Sequence, residues 1–357
     1  MTALQKTGRI TELDGWRAIS VMLVIFHHII DWTFPNYFYW HHQSLYQLGF
    51  WIGPLAVKFF FFISGFVITL GLLKEEQRGS VSYEAFYLRR ALRILPPVFV
   101  FLAAVVLLRA AGWILEESDS IIASMFLMGN VPIFPHTWFS GHLWSIGVEE
   151  QFYLCFPLIW VFAPRRHRSS LLFSAMLLFQ LWSIAQGAFN WGGYVDNGLS
   201  FACIAVGTVT AIHYEKVRAV VARIPLVAVI VVALLVFFQP FVPELHGARG
   251  LGYRLLTPAA VALLIVATIN RDASARVLNS RILQWLGKIS FSLYLWQELF
   301  TGKSIYYSPV FHWVMLVTFP LVFPLAWASY RFIELPGQRL GRRLTQDVAA
   351  TGSVTRK

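Results

Sequence analysis

The sequence predicts an all-α integral membrane protein, a single bundle of about ten transmembrane helices. Two observations carry the prediction. Of the 357 residues, 57% are hydrophobic and only 13% are charged, whereas soluble domains have about 45–50% apolar and about 25% charged residues. The apolar residues also fall into repeated stretches of about 20, the length that crosses a bilayer as a helix. The composition therefore argues against a soluble globular fold.

Ten stretches are apolar enough to be spans, and polar or Pro/Gly-rich turns separate them. They are residues 16–33, 48–73, 92–112, 142–163, 170–188, 198–213, 224–243, 251–270, 282–300 and 309–333. The first is interpreted as a retained helix, because no small-x-small cleavage site follows it. Cys155 and Cys203 lie in separate apolar stretches and predict no disulfide framework.

The basic residues predict the orientation. The formal net charge is +11, which also suits nucleic-acid binding, but that function needs a basic face on a soluble fold. With ten spans both termini share one side, and the opposite loops hold only Arg249 and Lys303. The other basic residues of the loops lie on the same side as the two termini: Lys6, Arg9, Lys74, Arg78, Arg89, Arg90, Arg165, Arg166, Arg168, Lys216, Arg218, Arg223, Arg271, Arg276, Arg281, Arg339, Arg342, Arg343, Arg356 and Lys357. The positive-inside rule then predicts cytoplasmic termini and a multi-pass protein of the inner cell membrane.

The first predicted span carries ionisable groups that are costly inside a bilayer. Arg17 and His28 are eleven residues apart, which places them on one helix face with a rise of roughly 16 Å. His27 points about 100° away from that face. His28 is the candidate functional imidazole, and the structural alternative is a histidine that reaches toward the outer interface.

The second span contains Lys58 and then the run FFFFISGF, residues 59–66. Lys58 lies too deep to reach the interface easily, so it needs a carboxylate, a cavity or an anionic ligand. Ser64 and Gly65 suit either close helix packing or a thin backbone beside a ligand. Lys58 and Ser64 are therefore candidate substrate-binding residues.

Arg90 and Arg93 share a helix face at the cytoplasmic mouth. Guanidinium groups bind phosphate in a bidentate manner, so the pair suits a multiply phosphorylated ligand. Ordinary positive-inside anchoring is the alternative.

Glu149 lies within the fourth predicted span. The helical rise places it at a depth in the bilayer close to that of His28. A carboxylate that orients an imidazole is the usual arrangement for a histidine general base, and a structural pair with a histidine or Lys58 is the alternative. In the ninth span Tyr294, Trp296 and Gln297 reach a similar depth. Near the end of the tenth, Arg331 and Glu334 have the spacing of an intrahelical pair.

Five motifs occur in one order: LDGWR at 13–17 followed by His28, FFFFISGF, FYLRRALRILPP at 86–97, LWSIGVEEQFYL at 143–154, and SLYLW at 292–296. In these motifs the chain resembles the membrane acyltransferase-3 family, which includes O-antigen and peptidoglycan O-acetylases and macrolide acyltransferases. The resemblance covers residues 12–343 and sets the domain division expected here: a transmembrane domain over 1–343 and a cytoplasmic tail over 344–357. We expect no appended hydrolase-like domain.

The resemblance implies a membrane O-acyltransferase that moves an acyl group, most often acetyl, from acyl-CoA to a hydroxyl of a carbohydrate or similar acceptor. It implies roles for matching residues: His28 as base, Glu149 as its partner, and Arg17, Arg90 and Arg93 as ligands of the CoA phosphates. Trp144 and Ser145 match the family's tryptophan-serine motif and are expected at the substrate. Direct transfer and an acyl-histidine intermediate both remain open.

Two positions depart from the family pattern. Lys58 stands where an acidic residue is common, and Gln297 stands where histidine is common, which weakens a two-histidine mechanism. We expect acyl-CoA as a co-substrate and neither a tightly bound cofactor nor a metal. The rival class is a transporter or flippase that uses the same intramembrane polar residues, but its usual signature of two similar halves is missing from the sequence.

Overall fold

The computed structural model describes residues 10–30, 43–79, 81–189, 195–238, 247–302 and 306–352. Within these ranges the chain is helical and holds no β-strand, apart from one isolated antiparallel bridge between Ile114 and Tyr307. The all-α prediction is confirmed. Residues 31–33 and 239–243 of two predicted spans, and Lys303, lie outside the described residues.

The chain divides into two compact units, Met1–Leu73 with Val148–Lys288, and Lys74–Gly147 with Ile289–Lys357. Helices α2, α6 and α13 run from one unit into the other. The helices that contribute to the first unit are α1 (Glu12–His28), α2 (Gln43–Gln77), α6 (Trp144–Phe162), α7 (Arg165–Phe189), α8 (Asn197–Ile212), α9 (Tyr214–Ala222), α10 (Leu226–Phe237), α11 (Gly247–Ile269), α12 (Asp272–Leu278) and α13 (Arg281–Trp296).

The second unit contains the helices between α2 and α6 and those that follow α13. They are α3 (Tyr83–Ala110), α4 (Ser118–Met125), α5 (Trp138–Gly141), α14 (Glu298–Thr301), α15 (Pro309–Thr318), a 3₁₀ turn (Phe319–Leu321), α16 (Val322–Ser329), a π-helix (Tyr330–Glu334) and α17 (Leu335–Gly352). The tenth predicted span therefore consists of several short helical pieces.

Five helical segments of the described chain are long and apolar enough to cross a membrane: Ile52–Gln77, Tyr83–Ala110, Arg165–Phe189, Gly250–Ile269 and Pro309–Thr345. A sixth is possible if α9 and α10 form one span, although the two are bent by 105°. These segments indicate a membrane protein. The count of ten spans, the cytoplasmic termini and the boundary at residue 343 stay predictions.

Aromatic side chains of α2 build the core of the first unit. The Phe59 ring stacks on Trp16 of α1 with 5.0 Å between centroids, and its edge meets Phe237 of α10 at 5.8 Å. The Trp16 indole also donates a hydrogen bond to the Thr268 hydroxyl at 2.9 Å. Phe59 and Trp16 together therefore join α1, α2, α10 and α11 through specific contacts.

Glycine permits the close approach of α2 and α8. A Cβ added to Gly65 would collide with the backbone carbonyl of Ile204, and one added to Gly207 would collide with that of Phe62. Helices in a membrane associate largely through such packing, because lipid tails are as apolar as the side chains that they replace. The close-packing interpretation of Gly65 is confirmed.

In the second unit the carboxylate of Glu116 stabilises the segment between α3 and α6 through hydrogen bonds. Its carboxylate accepts hydrogen bonds from the Thr137 hydroxyl at 2.6 Å and from the backbone N–H groups of Phe139 at 3.1 Å and Ser140 at 2.9 Å. Burial raises the pKa of this carboxyl, and these hydrogen bonds oppose the rise. The segment is therefore anchored to the start of α5 although it is mostly loop.

The contact between α2 and α8 predicts that alanine substitution has different effects on stability at two glycines of α2. We expect Gly65→Ala to lower the free energy of unfolding by about 1–3 kcal/mol, because overpacking forces the backbones apart. Gly71 meets nothing within 4 Å of an added Cβ, so Gly71→Ala should be neutral or stabilising. Thermal unfolding in detergent measures both, and equal midpoints would contradict the packing role of Gly65.

Candidate active site

The predicted catalytic histidine ends the first helix. His28 is buried and is the last residue of α1, and its ring lies 5.0 Å from that of His27. His27 is also buried, packed so closely on α2 that a Cβ on Gly53 would collide with its ring. At the opposite end of α1, Arg17 donates to the Asp14 carboxylate at 3.1 Å. His27 thus has a clear packing role, and the roles of Arg17 and His28 stay predictions.

The predicted partner carboxylate sits in a small hydrogen-bonded group. Glu149 of α6 accepts from the Ser64 hydroxyl at 2.7 Å and from the Tyr153 hydroxyl at 3.2 Å. Ser64 and Tyr153 come from α2 and α6, so the carboxylate bridges two helices. Both donors hold Glu149 in one orientation, which is what a carboxylate needs in order to fix an imidazole. The pairing of Glu149 with His28 stays a prediction.

Lys58 has a partner in the first unit. Its ammonium group donates to the Ser200 hydroxyl at 2.8 Å and lies 5.4 Å from the centre of the Phe61 ring. The carboxylate of Asp196, one turn before Ser200, is close enough to stabilise the ammonium charge. The three explanations that the sequence allows for this lysine, a carboxylate, a cavity and an anionic ligand, stay open. Contact between Lys58 and the substrate stays a prediction.

Asp196 organises the polar groups around Lys58. It caps α8 by accepting from the Leu199 N–H at 2.9 Å, and it forms an ion pair with Arg254 of α11. Arg254 also donates to the backbone carbonyl of Ser183 at 3.0 Å. Sequence reasoning missed Asp196 and Arg254, because nothing in the spacing of residues 58, 196 and 254 indicates that they meet.

In the second unit the arginine pair lies on α3, and both side chains are half-buried. Glu334 lies beside Arg93, with 4.0 Å between Nε and Oε1. The buried carboxylate of Glu334 also accepts from Ser292 at 3.1 Å and Gln338 at 2.9 Å. Glu334 is the last residue of the π-helix. The predicted Arg331–Glu334 pair assumes α-helical spacing, and the wider turn of a π-helix changes that spacing. Glu334 thus contributes to the environment of Arg93.

The aromatic and amide candidates of the ninth span are buried in the second unit. The Tyr294 hydroxyl is 2.8 Å from the Ser145 hydroxyl and donates to the His142 carbonyl at 3.0 Å. The Gln297 side-chain oxygen accepts from Thr301 at 3.1 Å. The structure thus brings Ser145 and Tyr294 together as candidate substrate contacts.

Trp144 and Trp296 differ in exposure. Trp144 begins α6 and is half-buried. Trp296 is buried, and its ring meets Phe101 edge-on at 5.6 Å. The substrate-binding role of both tryptophans stays a prediction.

The described residues offer no cluster of three or more His, Cys, Asp or Glu side chains that could hold a metal ion. They offer instead two kinds of chemistry, one in each unit. The first unit combines a buried imidazole with an oriented carboxylate, which suits proton transfer. The second has arginines at a helix surface, which suit an anionic ligand.

The sequence of this chain matches a known protein family. Residues 10–331 match the model of the acyltransferase domain, type 3. The chain belongs to this family. No solved structure matches it significantly.

Three curated relatives are named for acetyl transfer. A Staphylococcus aureus strain COL protein, provisionally named an O-acetyltransferase, is 28% identical over 95% of this chain and 59% of its own length. The peptidoglycan O-acetyltransferase OatA of Listeria monocytogenes is 27% identical over 93% and 56%. The O-acetyltransferase OatA of Staphylococcus aureus strain NCTC 8325 is 25% identical over 92% and 57%. The chain therefore spans less than two thirds of the length of these relatives.

The ion pair between Arg254 and Asp196 predicts a stability effect. We expect Arg254→Met to lower the free energy of unfolding by roughly 1.5–3 kcal/mol, because it removes a charge-assisted bond to a largely buried carboxylate. Arg218→Met is the control, since Arg218 pairs at 2.8 Å with a well-exposed Glu215, and such pairs contribute about 0–1 kcal/mol. Thermal unfolding in detergent distinguishes them, and equal losses would contradict the prediction.

Proposed function

We propose that this protein is a multi-pass inner-membrane O-acyltransferase. It moves an acyl group, acetyl in the first instance, from acyl-CoA to a hydroxyl of a carbohydrate or another cell-envelope or secondary-metabolite acceptor. The match of residues 10–331 to the acyltransferase family carries the proposal. The relatives named for O-acetylation, one of them for peptidoglycan, support the choice of acetyl and of a glycan hydroxyl.

The proposed reaction needs a base in the first unit. The acceptor oxygen attacks the thioester carbonyl, the C–S bond breaks, and His28 takes the acceptor proton and returns it to the CoA sulfur. The His28 side chain is buried away from bulk water, and a neutral imidazole is able to accept a proton. Glu149, held by Ser64 and Tyr153, stabilises the imidazolium that forms. An acyl-histidine intermediate would use the same residue as nucleophile.

The donor needs an anion site. Arg90 and Arg93 are proposed to bind the phosphates of CoA. For Arg17, in the first unit, a phosphate-binding role is proposed from the family resemblance alone. The partial exposure of the Arg93 side chain supports this assignment, since an anion can reach the guanidinium although Glu334 Oε1 lies 4.0 Å from Nε. The CoA adenosine-3′,5′-diphosphate portion carries several negative charges, which suits a pair of guanidinium groups.

The first experiment tests the base. His28→Ala protein is expected to lose acetyl transfer by about 10²–10⁴-fold, the usual contribution of a general base. Purified protein with radiolabelled acetyl-CoA and isolated cell-envelope glycan measures the transfer. The exposed His167 supplies the control variant His167→Ala, which should retain activity. Undiminished transfer by folded His28→Ala protein would contradict the assignment, and indifference of the wild type to acetyl-CoA would favour a transporter.

The second experiment tests the anion site. We expect Arg93→Ala to raise KM for acetyl-CoA about 10-fold with a smaller change in kcat, because it removes ground-state binding. S-acetylpantetheine lacks the nucleotide phosphates, so its KM should not change. Arg109→Ala, at the other end of α3 where Arg109 is exposed and bonds Ser118, is the control. An equal loss for both donors would contradict a phosphate-binding role for Arg93.

A further inference from the structure

A buried histidine and a buried glutamate lie side by side in the second unit, and the proposed function gives neither a role. His142 ends α5 and Glu298 begins α14. Their side chains are 4% and 3% exposed, and Nδ1 lies 3.8 Å from Oε1. This distance exceeds the reach of a direct hydrogen bond. The pair therefore combines a proton-accepting imidazole with a carboxylate away from solvent.

Buried polar atoms beside this pair have no hydrogen-bond partner among the described residues. Neither ring nitrogen of His142, nor the indole N–H of Trp296, has a hydrogen-bond partner among the described residues. The backbone carbonyls of Phe139 and Leu295 lie near the imidazole without meeting hydrogen-bond geometry. Buried polar groups are nearly always paired with protein, water or a ligand. The His142 imidazole and the Trp296 indole N–H, whose rings both contact Phe101, are thus available to a polar ligand.

Aromatic rings surround these polar atoms. The Phe101 ring meets His142 edge-on at 5.3 Å and Trp296 edge-on at 5.6 Å. The Tyr294 ring meets His142 at 5.3 Å. Ligand sites commonly combine such apolar walls with a few convergent polar groups. A hydroxyl group fits the chemistry, because it accepts a hydrogen bond from the indole and donates one to the imidazole or the carboxylate.

We propose that His142, Glu298 and Trp296 bind a hydroxyl group of a carbohydrate ligand, with Phe101 and Tyr294 as the apolar walls of the site. The inference rests on the proposed function in that the ligand would be the acyl acceptor. The ligand hydroxyl donates a hydrogen bond to the imidazole or the carboxylate and accepts one from the Trp296 N–H. Binding requires no chemical step, so it can be measured without a donor.

The test measures saturable binding of two probes, tri-N-acetylchitotriose and a disaccharide peptidoglycan fragment, to nanodisc-embedded full-length protein by isothermal titration calorimetry. His142→Gln should weaken the binding of the tighter probe at least 10-fold. Trp296→Phe should weaken it several-fold, because it keeps a ring of similar character and removes the N–H. His312→Gln, in the same unit but on α15, is the matched control and should bind like the wild type.

Thermal unfolding of each variant separates lost binding from lost folding, and Trp296→Phe provides a mild change if His142→Gln does not fold. The absence of saturable binding by wild-type protein overturns the inference. So does wild-type affinity in folded His142→Gln and Trp296→Phe proteins. If acetyl transfer from acetyl-CoA is missing while binding depends on His142, the proposed enzyme function fails and the carbohydrate site stands.

Discussion

The high cost of an unpartnered charge in an apolar helical protein is the constraint on which this structure depends. Two candidate functional groups of the first unit, Lys58 and Glu149, are held by neighbours from other parts of the chain. Lys58 has Ser200 and the charge of Asp196, and Asp196 has Arg254. Hydrophobic residues at these positions would avoid the free-energy cost of burying charged groups. The presence of the charges therefore indicates that the unit either uses them or needs the specific geometry that they impose.

The same constraint explains why glycine occurs at helix contacts. Bilayer lipids match the apolarity of side chains, so helices gain little by burying more apolar surface and depend on close contact. Gly65 and Gly207 bring the backbones of α2 and α8 together. That approach places Lys58, seven residues before Gly65, against the first turn of α8, where Ser200 and Asp196 lie. Packing and charge pairing are therefore two consequences of one helix contact.

The sequence predicts the helical class and the residues that carry charge at depth, because hydropathy and ionisable groups can be recognised locally. Contacts between distant segments cannot be predicted in this way. Nothing near Lys58 indicates Ser200, and nothing near Arg93 indicates Glu334, which reaches it from the other end of the second unit's sequence. The π-helix before α17 likewise escapes a prediction that assumes 3.6 residues per turn. Helix spacing gives the face of a residue, and only the packing gives its partner.

The two departures from the family pattern have different consequences. At position 58 the charge is reversed relative to an acidic residue, and the structure contains an acid, Asp196, close enough to stabilise it, so the first unit accommodates the change within itself. At position 297 a proton acceptor is replaced by an amide whose oxygen bonds Thr301, and the amide cannot act as a base. In the second unit a histidine is nevertheless present, since His142 lies beside Glu298, the residue that follows Gln297. His142, which lies between α5 and α6, therefore places an imidazole next to Glu298, whereas position 297 itself carries an amide.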